Sequence, residues 1–337
     1  LEKILKILNQ NNTMSDNTND KELEKILAEK EAQSQPEVSQ ADLIENAIAS
    51  EGLGKVDVSK FGPDTPSASD LHLGWYTVTL DDLPSRGRFY PTGMEIKIRS
   101  AKVAEIRHFS TMDENNILDI DSKLNSIVQS CTAVTSANSR VSFKDICEED
   151  RFFIILSIRD LTFPEPENAL KVNFTAKSGD SHDIEIKRDY FRFFEIPDEI
   201  EKYYDASSRG FVIKTKSYGE IFMKPPSIGV MQEITKYIKE RQEKGINIDQ
   251  SLIQILPFIS TDWRSFNQRK IFDMEVDMNG WDNKKYTLLY RLAEKMKIGI
   301  QPEMKVAVED EEASVPINFR DGIKSIFIIQ DFSGELL

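Results

Sequence analysis

The chain has 337 residues, 39% of them apolar and 30% charged, with a formal net charge of −14 and a pI near 4.9. That length can bury a real hydrophobic core, whereas the acidic balance argues against duplex nucleic acid and against an anionic membrane surface, both of which call for a basic face. The two cysteines, Cys131 and Cys147, are too few for a disulfide scaffold and read as reduced, buried thiols. No apolar run approaches the roughly 18 residues of a membrane span, and no N-terminal segment has the pattern of a signal peptide.

In chain order, Met14-Ser15-Asp16 reads as a translation start, and residues 1–13 as upstream frame or a fragment boundary. Residues 1–70 hold 7 lysines, no arginine and 14 acidic residues, so half of the excess charge sits in about a fifth of the length. With Phe61 as their one aromatic residue they cannot offset the entropy of ordering, and residues 1–72 are expected to form a disordered acidic arm. Its reach would be roughly 45 Å. Two short amphipathic pieces, 21–30 and 41–49, are either anchors that fold on a partner or transient helix.

Order is expected from about Leu73. Residues 75–80 and 94–99 alternate as paired strands around the turn-rich stretch Leu83-Pro84-Ser85-Arg86-Gly87-Arg88-Phe89-Tyr90-Pro91-Thr92-Gly93. Helical periodicity follows at 103–109. Thr111 and Glu114 form a candidate capping box for a helix with apolar residues at 117, 120, 124, 127, 128 and 131. Ser142 and Asp145 look like a second cap, opening a helix over 145–161 whose portion 152–158 is apolar all round. Arg151 and Arg159 flank that portion and are expected to snorkel toward acidic partners.

Strand patterns then replace helical ones. Hairpins are expected from 170–175 with 182–187 and from 211–216 with 220–223, and Pro225-Pro226-Ser227 caps a helix over 228–244. Helices over 249–258, 262–272 and 283–298 follow, then a strand pair at 304–308 and 315–319. Residues 323–329 read as strand or helix. Lys171-Val172 leading to Arg188-Asp189 is echoed by Lys305-Val306 leading to Arg320-Asp321, either as two related β-units or by coincidence. The expected fold class is α+β: a mostly helical body with several β-hairpins, divided into an α+β domain over 73–190 and a hairpin-plus-helical region over 191–337.

A search of the sequence for chemistry finds none. His72, His108 and His182 have no metal-ligand partner at helical spacing, and there is no H-E-x-x-H, C-x-x-C, Walker loop or G-x-G-x-x-G. Starting a calcium loop at Glu275 puts Gly280 correctly at the sixth position but Tyr286 where a bidentate Glu belongs, so residues 275–282 read as a solvated turn between helices. The acidic runs Glu148-Glu149-Asp150 and Asp310-Glu311-Glu312 read as solvated faces or turn tips. No cofactor and no metal is expected. The most distinctive stretch is the loop. Pro84 and Pro91 fix φ while Gly87 and Gly93 allow left-handed turns, giving a rigid, shaped element. Arg86, Arg88, Phe89 and Tyr90 are residue types that dominate interfaces, and they are the candidate contact residues.

Leu83-Pro84-Ser85-Arg86-Gly87, Tyr90-Pro91 and Gly93, then Glu95-Ile96-Lys97-Ile98-Arg99, Ala104-Glu105-Ile106 and a helix ending in Ser130-Cys131 resemble a phage tail family. It is the baseplate-hub and hub-assembly proteins of T4-like contractile-tailed bacteriophages, the gene 26 product family. The resemblance spans about residues 75–190 and fades beyond. It implies a structural or assembly role without catalysis, in the virion baseplate or in the host cytoplasm during assembly. The implied partners are other hub, tube or tape-measure proteins, with no nucleic acid and no membrane. Alternatives are an assembly chaperone absent from the mature virion, a cellular adaptor unrelated to phage, and a carboxylate-based hydrolase.

Overall fold

The computed structural model describes residues 74–164, 169–175, 181–259, 262–308, 311–319 and 322–327. The acidic arm and the turn at 177–180 therefore lie outside the described residues. All described residues belong to one compact unit, Thr65–Leu337. The class is α+β: among the described residues there are eight α-helices and four small antiparallel sheets.

Strand β1 (Tyr76–Thr77) pairs with β2 (Met94–Ile98). β1 is shorter than its alternation predicts because only Val78 N–H continues the ladder, to Ile96 O, before residues Leu80–Asp82 coil into a 3₁₀ turn. Helices α1 (Val103–Ser110) and α2 (Ile117–Cys131) follow, then β3 (Thr132–Ser136), which pairs along the full length of β2. The cap of α2 is Asn116, not Thr111. Asn116 Oδ1 accepts from Leu118 N and Asp119 N at 3.0 and 3.3 Å. Thr111 turns its hydroxyl back to His108 O, and Glu114 accepts from Lys324 N at 2.9 Å, capping the distant 3₁₀ turn Ile323–Ile326.

The second cap forms as read, with Ser142 and Asp145 bonded reciprocally, but it opens a single 3₁₀ turn, Phe143–Asp145. Residues 146 and 147 are extended because they pair with the segment before another helix: Glu148 N donates to Pro226 O, and Ile228 N to Ile146 O. Helix α3 therefore starts only at Arg151 and runs Arg151–Thr162. Its Ile154, Ile155 and Ile158 are wholly buried at the centre of the main core, as their all-round apolar pattern requires.

β4 (Lys171–Thr175) and β5 (Ser181–Glu185) form the expected hairpin. A short helix α4 (Asp198–Glu201) and strand β6 (Tyr204–Asp205), neither legible in the pattern, lead to the sheet β6-β7-β8 with β7 (Gly210–Thr215) and β8 (Gly219–Met223). Ser227 caps α5 (Ile228–Glu243), followed by α6 (Gln250–Ile259). The expected helix over 262–272 is instead a 3₁₀ turn, Trp263–Ser265, and then α7 (Gln268–Asn279), capped by Asn267. The break comes where Asp262 bonds Arg264 N and buried Phe266 plugs a small second core with Val230, Ile234 and Ile271. α7 continues through most of the segment read as a turn, because Glu275 lies beneath Tyr237 and Arg241 of α5, which both donate to it.

Helix α8 (Asn283–Lys295) precedes the final hairpin, β9 (Glu303–Val308) and β10 (Glu311–Pro316). The second strand begins earlier than its alternation predicts, and Phe319 instead bridges Val172, so the hairpins that echo each other in sequence meet through these residues. One apolar core runs from Leu83 to Phe327 and takes in residues of α1, α2, α3, α8 and all four sheets.

Candidate functional site

The loop between β1 and β2 is a succession of tight turns. Arg86 N bonds Leu83 O, Arg88 N bonds Ser85 O, Tyr90 N bonds Gly87 O and Met94 N bonds Pro91 O, at 2.8 to 3.2 Å. Gly87 has φ +68, and a Cβ there would stand 2.9 Å from Leu80 Cβ, so both conformation and space call for glycine. Arg86 is also left-handed, at φ 51.

Asp150, wholly buried at the foot of α3, pins this loop from beneath. Its carboxylate accepts from Ser85 N at 2.8 Å, from Ser85 Oγ at 2.5 Å and from the Tyr90 hydroxyl at 2.5 Å. Tyr90 in turn accepts from Cys147 N at 3.2 Å. Burial pushes the Asp150 carboxyl up to about 6, although the donors from Ser85 and Tyr90 pull it down. Burial, joined by the Asp150 charge, raises the Tyr90 hydroxyl well above its ordinary value.

The run Glu148-Glu149-Asp150 is thus not a solvated face. Burial raises Glu148 to about 8 despite Arg151, and Glu149 to about 7, with the neighbouring Asp150 charge adding to it. Arg151 does not snorkel outward. It is enclosed, bonded to Asp121 and Asn125 at 2.5 and 2.8 Å and paired with Glu148 at 2.6 Å. One signal for this burial was available: the run directly precedes a helix that is apolar nearly all round, whose N-terminus favours carboxylates.

The four candidate contact residues separate. Tyr90 and Phe89 are buried in the chain's own core, Phe89 with its ring against Tyr204 and Phe211, so Tyr90 offers no contact surface and Phe89 only the edge it lends to a pocket wall. Arg88 is bidentate to Glu201 at 3.0 and 2.5 Å and lies over the Tyr204 ring at 4.1 Å. Only Arg86 points freely outward, its side chain 64% exposed.

Arg86 stands at the mouth of a pocket of about 260 Å³. The loop supplies one wall, through Pro84, Ser85, Arg86, Arg88 and Phe89; Phe193, Phe194, Glu195, Ile196 and Ile298 supply the other, and Glu201 also lines it. This second wall is held by an extended segment: Phe193 bridges Ile300, with Phe194 N donating to Gly299 O at 2.9 Å and Gln301 N to Arg192 O at 2.7 Å. Phe194 is 45% exposed. No local pattern points to this wall, which comes from residues about a hundred or more positions beyond the loop.

Among the described residues, no group of three or more His, Cys, Asp or Glu side chains is placed to hold a metal ion, and no helix is long and apolar enough to cross a membrane. His108 is exposed beside Lys123, and His182 sits across from Phe174 in its hairpin. Both cysteines are buried and free, and burial drives the Cys131 thiol up to about 12. Fold and site together describe an α+β scaffold that presents a preorganised loop and an adjoining pocket of mixed polar and apolar lining. Searches of protein-family models, of curated proteins and of solved structures found no match to the chain.

Proposed function

We propose that this protein is a non-enzymatic structural or assembly component of a bacteriophage contractile-tail baseplate hub, binding other hub or tail proteins through the face that carries the Arg86 loop. The observation that carries the reading is the preformed loop itself. Of the residues behind the phage resemblance, Ser85 and Tyr90 are locked by Asp150 from below, and Pro84, Ser85 and Arg86 line a pocket at the side. A loop fixed before contact loses little conformational entropy on binding, which favours recognition.

The raised carboxylates of residues 148–150 are what a hydrolase reading would seek. Asp150 is occupied by Ser85 and Tyr90 and Glu148 by Arg151, and these carboxylates do not line the described pocket. They fit a framework role better than a pair of acids facing across a substrate cleft.

The test is mass spectrometry of purified particles beside capture from infected-cell lysate, using the full chain and its Arg86→Glu variant as baits. Presence in the particle, or capture of hub proteins by the parent chain and not by the variant, supports the reading. Presence in the particle makes it a virion component; capture without particle presence makes it a departing chaperone. Absence from both sinks the proposal.

A further inference from the structure

A charge taken partly out of water costs stability unless an opposite charge stands beside it. Among the described residues, the arginines that the fold half or wholly buries obey this rule with one exception. Arg88, Arg99, Arg151, Arg159 and Arg241 each pair with a carboxylate. Arg209, half-buried at the turn into β7, has no hydrogen bond or ion pair to a described residue. Lys224, half-buried where the chain leaves β8, is in the same position. Its backbone N–H donates to Phe258 O at 2.9 Å, but its ammonium has no partner among the described residues.

These two unpaired cations are neighbours. Phe211 faces Met223 across β7 and β8, so one step further along the ladder Gly210 faces Lys224, with Arg209 next to it. The strands stay close there: a Cβ on Gly210 would stand 3.1 Å from Met223 O. Burial holds the Lys224 ammonium below its ordinary pKa, and the Arg209 charge acts in the same direction, against Cys147, Asp262 and Asp145. None of those three groups pairs with Lys224. Burial pushes the Cys147 thiol well above its ordinary value, so it is neutral near pH 7. Asp145 accepts from Trp263 Nε1 at 3.0 Å and from both terminal nitrogens of Arg264, at 2.9 and 2.8 Å. Asp262 accepts from Arg264 N at 3.0 Å and pairs with the same guanidinium at 3.3 Å. Both carboxylates are thus held on Arg264.

We propose that Arg209 and Lys224 together bind a phosphate monoester group, the guanidinium fork and the ammonium both donating to its oxygens. The ligand class follows from the donors. A planar fork beside a point charge suits a phosphate, which offers three acceptor oxygens and a charge of about −1.5 to −2 near neutral pH. A single carboxylate or a phosphodiester, with one charge, would leave one of the two cations uncompensated. Neither residue lines the pocket beside Arg86, so the site stands apart from the hub-binding reading. A phosphorylated side chain of a partner and a free phosphorylated small molecule share this chemistry.

The test is isothermal titration calorimetry of the full chain at fixed ionic strength. The probes are inorganic phosphate, acetate, the peptide Gly-Ala-phosphoserine-Ala-Gly, and the same peptide with aspartate in place of phosphoserine. Phosphate is expected to bind at least about tenfold more tightly than acetate, and the phosphopeptide than its aspartate form, as befits an added charge-assisted contact. Arg209→Gly, which also relieves a φ of 54, and Lys224→Gln should each weaken phosphate binding by about tenfold or more. Neither should lower the unfolding midpoint in phosphate-free buffer, since each removes an unpaired charge. Arg107→Gln, which removes an exposed arginine of α1, should leave the affinity unchanged. A phosphopeptide that binds more tightly than inorganic phosphate assigns the site to a phosphorylated partner; equal or weaker binding assigns it to a free phosphorylated compound. No binding of either phosphate probe at millimolar concentration, equal binding of acetate and phosphate, or indifference to Arg209→Gly or to a folded Lys224→Gln chain each overturns the inference. Such a failure leaves the capture experiment standing, and a failed capture leaves phosphate binding standing.

Discussion

Replacing Tyr90 by phenylalanine isolates the hydrogen bonds that hold the loop to the helix beneath it. The ring stays in the core, but Asp150 loses its 2.5 Å donor and Cys147 N–H loses its acceptor. A hydrogen bond to an ionised group contributes about 1.5–3 kcal/mol, and a neutral one about 0.5–1.5 kcal/mol. The loss should therefore depend on the charge of Asp150. Burial raises that carboxyl to about 6, so ionising it in the native state costs stability that is absent below the unfolded value near 4 and fully felt above about 6. Without the Tyr90 donor the native value climbs further, and the cost extends to higher pH. Tyr90→Phe is expected to lose about 2–3 kcal/mol at pH 8 and about half of that at pH 5, measured by urea unfolding with an unchanged slope. A loss below about 0.5 kcal/mol at both pH values, or a larger loss at pH 5, would refute the account of Asp150 as a charged anchor.

Three further outcomes follow from neighbouring contacts. The native Glu148 and Glu149 carboxyls lie at about 8 and about 7, so stability should fall as pH rises from about 4.5 to about 8. Glu149→Gln should flatten the lower part of that slope, and an unaltered urea midpoint profile would count against it. Gly299→Ala should destabilise the fold by about 1–3 kcal/mol in thermal unfolding, since φ is +115 and the added Cβ would meet Glu149 Oε2 at 2.7 Å. Glu114→Ala should speed amide exchange at Lys324 and cost about 1 kcal/mol, as loss of a cap does; equal protection in parent and variant would show that the cap is dispensable.

Wherever one element dictates its own pattern, the sequence was legible. The apolar stripe of α2, the all-round apolar run of α3 and the two hairpins at 171–185 and 210–223 appear close to their expected places because periodicity acts locally. Caps were harder. Thr111 and Glu114 have the right spacing, but Glu114 accepts from an amide 210 positions away, a demand that no short window contains. The acidic run 148–150 was misread for the same reason. Its burial depends on Ser85 and Tyr90, 60 or more residues upstream, and on the chain folding back at Pro226. Within the loop, residue type was a sound guide to importance but not to direction: Tyr90 and Phe89 are anchors facing inward, while Arg86 faces out.

The clasp between Glu114 and Lys324 also sets a schedule for synthesis. Phe109, at the end of α1, and Phe327 are both buried, with ring centroids 5.0 Å apart, so the core at α1 is completed by nearly the last described residues. At roughly 5–20 residues per second, a ribosome needs about 10–40 s to travel from the first half of that contact to the second. During that interval the apolar side of α1 has no final partner, and the nascent chain must be shielded or remain incompletely folded. Final closure is thereby deferred until residues 324–327 have been made, and a product broken off before residue 324 would lack both the clasp and the Phe327 ring.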